Sequence, residues 1–202
     1  MSNYTTELEA INVMLSAVGS SPVNSLGSPL GAETAIAKNI LTETRREVLS
    51  RGWDFNTDRK LEMTADTSNQ VQIPENILRI DGSDGYNSNL DLVQRSGYLY
   101  DKKSHTNVLT VSTVTVDVTY LLPFVDIPEV ARRYVMIRAA RVFADRIVGY
   151  NHQHSFSIAD EWQAMSDLKE YEGETGDFNM LTDSWDVHRI IRRGSPLRDV
   201  GF

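Results

Sequence analysis

The chain has 202 residues, 41% of them hydrophobic, a net charge of −8 and an isoelectric point near 5.0, which is enough for a packed core in one domain or one domain with a small insert. The absence of cysteine excludes disulfides, zinc ribbons and thiol catalysis, and the acidic balance disfavours a free-standing DNA reader. The polar, acidic start MSNYTTELEA is no signal peptide and no apolar run has membrane-spanning length, so a soluble chain, intracellular when made, is expected.

Thr6 and Glu9 form a T-x-x-E capping box. Leu8, Ile11, Leu15 and Val18 then share one helical face, and Gly19 stops this first predicted helix. Residues 20–31 are rich in Ser, Gly and Pro and read as a loop. Ser28 before Pro29 suits an N-cap with a first-turn proline. A second helix is expected from there to Arg51, about 30 Å long, carrying Ile36, Ile40, Leu41, Val48 and Leu49.

The stretch LSRGWDFN, Leu49 to Asn56, closes that helix. With Gly52 in the left-handed position after the helix, Trp53 meets Val48 in the hydrophobic contact of a Schellman cap. Trp53 and Phe55, two apart in an extended chain, point to the same side. Val48, Gly52, Trp53 and Phe55 therefore read as a structural joint that sets the direction in which the chain leaves the helix. The competing reading is an exposed aromatic platform for a sugar or a base.

Residues 61–124 alternate at period two. Val114, Val116, Val118, Tyr120 and Leu122, separated by Thr115, Asp117 and Thr119, make a half-buried strand. Ser96-Gly97 is a candidate tight hairpin turn, and Ile77–Ile80 and Leu109–Val111 are further strand candidates. Helical pattern returns at Asp126-Ile-Pro-Glu, with Pro128 at the first turn. Val130, Tyr134, Ile137, Phe143, Ala144, Ile147 and Val148 line this third helix and Gly149 ends it. A loop comes next, Ser157 can cap a fourth helix, and Ile158, Trp162, Met165, Leu168 and Tyr171 form its apolar stripe opposite Asp160, Glu161, Asp167 and Glu170. After Leu181 no period is clear.

The expected fold is α+β: a four-helix bundle with an antiparallel β-sheet domain inserted between helices 2 and 3, plus an extended C-terminal tail. The expected divisions are 1–60 and 125–181 for the two halves of the bundle, 61–124 for the insert and 182–202 for the arm.

Five segments carry a resemblance: the opening ELEAINVMLSAVGSSPVNSL, Ser50-Arg51-Gly52-Trp53-Asp54-Phe55-Asn56, Gly97-Tyr98-Leu99-Tyr100-Asp101, Pro128-Glu129 and Asn179-Met180-Leu181. In this order and spacing the chain resembles tail tubular protein A, the head-to-tail adaptor of short-tailed, podovirus-type bacteriophages. The stretch beyond Leu181 carries no piece of the resemblance. It implies a structural virion protein of the tail, assembled in the host cytoplasm. Such proteins form a dodecameric ring between the portal protein and the nozzle (tail tubular protein B). The ring helps seat tail fibres and passes viral DNA without specific binding. The implied fold is a helical bundle carrying a β domain; no cofactor and no membrane contact are implied.

An acidic wall suits a conduit, since it repels phosphate, although an acidic helix face is also an ordinary solvated surface. A ring needs two complementary surfaces on each subunit. The basic third helix (Arg132, Arg133, Arg138, Arg141) and the acidic fourth (Asp160, Glu161, Asp167, Glu170) are the candidate ring interface; the alternative is that these helices pair within one subunit. In the arm, Arg189, Ile190, Arg192, Arg193, Leu197, Arg198 and Phe202 suit ordering on the portal or a neighbouring subunit.

Catalytic signals are weak. His152 and His154 sit in a polar loop with no fixed third metal ligand. Asp81-Gly-Ser-Asp84 begins a stretch with the look of a calcium loop but lacks the glutamate at EF-hand spacing. The strongest enzyme alternative is a polysaccharide-degrading glycoside hydrolase, which needs two facing carboxylates, one of them with a raised pKa; nothing in the sequence singles out such a pair. No enzymatic activity and no catalytic or metal residue is therefore expected.

Overall fold

The computed structural model describes residues 4–27, 29–83, 89–149 and 158–175. The expectations for Ser28, Asp84, His152, His154, Ser157, Asn179-Met180-Leu181 and the arm from Asp183 to Phe202 lie outside these residues.

The fold is α+β, with four helices and two small antiparallel sheets among the described residues. Helices α1 (Glu7–Ala17) and α2 (Ala32–Leu49) precede strands β1 (Thr57–Thr64), β2 (Ile77–Gly82), β3 (Leu92–Arg95), β4 (Tyr98–Asp101) and β5 (Thr113–Tyr120). Helices α3 (Glu129–Ile147) and α4 (Ile158–Thr175) complete the order. Helix α3 touches each of the other three helices.

Local chemistry sets the helix ends. At α1 the Glu9 amide donates to Thr6 Oγ1 at 3.2 Å and the Thr6 amide to Glu9 Oε2 at 2.7 Å, the reciprocal box. Those bonds, the Thr6 amide first, hold the Glu9 carboxyl below its usual range. The Schellman pattern closes α1: Gly19 has φ +78, its amide donates to Ser16 O at 3.1 Å, and the Ser20 amide donates to Leu15 O at 2.9 Å. Asn12 then clips the following loop, exchanging two side-chain bonds with the Val23 backbone at 2.8 and 2.9 Å.

Helix α2 starts later than the Ser28-Pro29 signal, at Ala32 behind an N-cap Gly31. Its last residue is Leu49, two before the expected end, which shifts Gly52 one place beyond the position a Schellman glycine takes.

Strand β5 is the centre of a three-stranded sheet ordered β1-β5-β2, and β3-β4 form a separate hairpin. β1 begins at Thr57, ahead of the expected alternation, and its pairing with β5 shifts between Asp58 and Leu61, where Lys60 has φ +57. That is the signature of a bulge on an edge strand. Val114, Val116 and Val118 are buried from β5, while Leu122 lies beyond its end. Ser96 and Gly97, with φ of +52 and +79, join β3 to β4 as a two-residue turn requiring left-handed backbone at both positions. Leu109–Val111 is not a strand; Leu109 is nevertheless buried in the sheet core, its amide bonded to Asn69 O.

Two cores result. Ile11, Met14, Leu41, Leu49, Phe143 and Leu168 represent the helical one, which also takes in Trp53. Val71, Ile73, Leu92, Leu99, Val116 and Val118 belong to the other, under the strands. On α4 the expected stripe is only partly inside. Ala164 and Leu168 are buried, whereas Ile158 and Trp162 are exposed, Trp162 at 70%. Small Ala164, not Trp162, permits the close approach of α4 to the rest of the helices.

Candidate functional site

The connection between α2 and β1, where a structural joint is expected, carries hydrogen bonds as well as apolar surface. Trp53 is 8% exposed. Its Nε1 donates to Val48 O at 2.8 Å, a carbonyl in the last turn of α2 whose backbone bond, from the Arg51 amide, is long at 3.4 Å. The contact with Val48 is thus a polar bond to its backbone. The Trp53 amide does not reach back to α2 as a Schellman cap requires; it donates to Asn56 Oδ1 at 2.8 Å. Residues Asp54–Asn56 form a single 3-10 turn, so this stretch is not extended. The Trp53 and Phe55 rings still lie together, stacked at 6.5 Å between centroids and 7° between planes.

Asn56 is the residue that sequence reasoning missed. Besides accepting from Trp53, its Nδ2 donates to Leu49 O at 3.0 Å and Tyr120 O at 2.8 Å. One buried amide therefore joins the end of α2, the 3-10 turn and the end of β5. Its signal in the sequence was slight, an Asn three residues after the tryptophan. Gly52, with φ +76, packs so that an added Cβ would stand 3.4 Å from Thr119 Oγ1 and 3.6 Å from Thr57 Oγ1. On the far side, the Asp54 amide donates to Glu172 Oε1 at 2.5 Å, bringing α4 onto the joint.

The charged residues of α3 and α4 meet within the chain. Arg138 bonds Glu161 Oε1 at 2.5 Å through Nη1 and Glu47 Oε1 at 2.6 Å through Nη2. Arg141 Nε bonds Glu161 Oε2 at 2.5 Å, and its Nη1 lies 3.3 Å from Asp145 Oδ2. Burial pushes Glu161 up, but the bonds from Arg141 and Arg138 together outweigh it and hold the carboxyl below its usual range. Burial likewise pushes Arg138 down and is outweighed by Glu47 and Glu161, so its pKa rises. Arg132 is buried, donating to Ile127 O at 2.6 Å, Val125 O at 2.5 Å and Thr5 O at 3.1 Å. It closes the turn before α3 onto the N-terminal segment. Arg133, Asp160 and Glu170 are exposed, and Asp167 is half-buried and bonded to Gln163 at 2.7 Å.

Beside this cluster lies a groove of about 430 Å³ between the end of α2 and the facing sides of α3 and α4. Arg51, Arg138, Arg141 and Lys169 line it with Ile158, Trp162 and Met165.

The carboxyl groups displaced from their ordinary values are structural. Asp101 is 1% exposed and is held at about 2, chiefly by the Ser104 hydroxyl and then by the Asp91, Lys103 and Ser104 amides, against the upward push of burial. It ends the β3-β4 hairpin by capping the turn beyond it. Glu9, Asp101 and Glu161 all move down, the opposite of what the acid of a glycoside hydrolase needs. Among the described residues no cluster of three or more His, Asp or Glu side chains could hold a metal, and no helix is long and apolar enough to cross a membrane.

The family model described as tail tubular protein matches residues 8–178. No curated protein matches the chain.

Proposed function

The chain belongs to the tail tubular protein family, structural components of bacteriophage tails, and from that premise we propose that it is the ring-forming adaptor between portal and nozzle. The carrying observation is the family match over residues 8–178, which takes in every helix apart from the first residue of α1 and every strand. In this reading the helices form a bundle (1–60 and 125–181), the strands an inserted domain (61–124), and 182–202 an arm. The joint of Val48, Gly52, Trp53 and Phe55 holds insert and bundle at a set angle, so that copies tile into a closed ring, a dodecamer by analogy with the family. Its buried indole and three-way Asn56 amide support that role.

Arg138, Arg141, Glu161 and Arg132 are engaged inside one chain, so they shape the ring interface indirectly, the first three by fixing α4 against α3 and Arg132 by holding the turn before α3 to the N-terminal segment. Exposed Arg133, Asp160 and Glu170, with half-buried Asp167, supply the charges that meet a neighbour, giving register more than affinity. Arg189, Ile190, Arg192, Arg193, Leu197, Arg198 and Phe202 in the arm contact the portal or the adjacent subunit. The net charge of −8 supports passage of DNA without capture. The nozzle and tail fibre are the remaining partners, and assembly takes place in the host cytoplasm before incorporation into the virion.

Electron-microscopic class averages of the protein mixed with its portal test the reading. Closed rings seated on the portal are expected; monomers that leave the portal bare overturn it.

A further inference from the structure

The groove between α3 and α4 has a composition at odds with the rest of this acidic chain. Four of its lining side chains are cationic and one, Glu161, is anionic. Glu161 is shared by Arg138 and Arg141, which have further carboxylate partners in Glu47 and Asp145. Arg51 and Lys169 have no carboxylate partner among the described residues; Arg51 Nη1 lies 3.9 Å from the Met165 sulfur. The same groove is lined by Trp162, 70% exposed, and Ile158, 59% exposed. A bare indole beside unpaired cations fits a segment that is both apolar and acidic.

The chain carries such a segment. Residues 177–187, DFNMLTDSWDV, hold Asp177, Asp183 and Asp186 with Phe178, Met180, Leu181, Trp185 and Val187, and contain no Lys or Arg. It comes directly after α4, which ends at Thr175. The rise from Trp162 to Thr175 along a helix is about 20 Å. A chain reversing at Gly176 and running back extended covers that distance in about six residues. Cis docking also gains from a high effective concentration that a second copy lacks.

We propose that residues 177–187 dock in the groove of their own chain, with their aspartates on Arg51 and Lys169 and their apolar side chains over Trp162 and Ile158. The basic remainder, 189–202, is thereby presented as the free end of the arm. The groove is a seat for an acidic, apolar peptide and acts as the anchor of the C-terminal region. This does not depend on the adaptor reading, since it concerns a single copy.

Hydrogen exchange on the full chain tests it. In the wild type the amides of 177–187 exchange at least about tenfold more slowly than an unstructured peptide, independent of protein concentration. In Trp162→Ala and in the double variant Arg51→Glu, Lys169→Glu, that protection falls to the unstructured rate while α3 keeps its own. Adding Asp177→Lys and Asp183→Lys to the double variant restores it. Unprotected amides in the wild type, protection that both groove variants leave intact, or protection that rises with protein concentration (a seat filled by a second copy) would each overturn the proposal.

Discussion

Trp53 Nε1 donates to the carbonyl oxygen of Val48 at 2.8 Å, so an indole five residues downstream closes the end of helix α2. Trp53 is buried in the helical core while its chain runs on into β1. Replacing it with phenylalanine keeps most of the apolar volume and removes the donor. The expected loss is about 0.5–1.5 kcal/mol, the net contribution of one hydrogen bond, since Val48 O keeps the Arg51 amide as a donor. Trp53→Ala is expected to lose about 3–5 kcal/mol. Urea unfolding followed by circular dichroism checks both, and a phenylalanine variant as stable as wild type would show that the bond contributes nothing.

Asn56 makes three hydrogen bonds across three elements. Asn56→Asp is nearly isosteric but can no longer donate to Leu49 O and Tyr120 O. It places a carboxylate against two carbonyl oxygens, and a destabilisation of about 2–4 kcal/mol is expected. Loss of amide protection at the start of β1, ahead of the helical core, is the accompanying signature in hydrogen exchange.

Gly52→Ala forces a side chain into left-handed backbone at φ +76 with Thr119 3.4 Å away. The backbone term alone is about 1–2 kcal/mol, and the added carbon would sit at the near edge of ordinary contact with the threonine. The corresponding change at Gly19, where φ is +78 but nothing lies within 4 Å of the added carbon, should lose the backbone term alone. Comparing the two thermal midpoints separates strain from crowding.

Acid should loosen α4 through Glu161. Its folded pKa lies below the unfolded value, so the stabilisation is fully present above the unfolded carboxyl range and is lost as pH falls through the folded pKa. Wild type minus Glu161→Gln in urea midpoint should therefore be largest at neutral pH and shrink on acidification below about 4.3, the ordinary glutamate value. Asp101, held at about 2 against an ordinary 3.8, retains its contribution at pH 4 and loses it on approaching pH 2. The β3-β4 hairpin should thus outlast the α3-α4 clasp in an acid titration followed by residue-resolved exchange. A difference between wild type and Glu161→Gln that stays constant from pH 7 to 3 would contradict this account of the clasp.

Deleting residues 183–202 should leave a folded protein that no longer assembles on portal, the contact proposed for the arm. Normal assembly of the truncated chain would remove the arm from the contact.

Legible along the chain was whatever depends on neighbours a few residues apart. The Thr6–Glu9 box, the hairpin turn at Ser96-Gly97 and the alternation of Val114, Val116 and Val118 are of this kind, as is the switch from helical period to strand period near Asn56. Each is decided by backbone sterics or side-chain periodicity within one element. The rest required partners distant in sequence. Asn56 finds Tyr120 across 64 positions and Asp54 finds Glu172 across 118. Trp162 stays at the surface, although its spacing suits the buried stripe, because Ala164 and Leu168 take the face against α3. Leu109 is buried without being in a strand, its place set by Asn69. Periodicity tells which residues seek cover but not what covers them. That depends on partners from elements far apart in the chain, which no local pattern encodes.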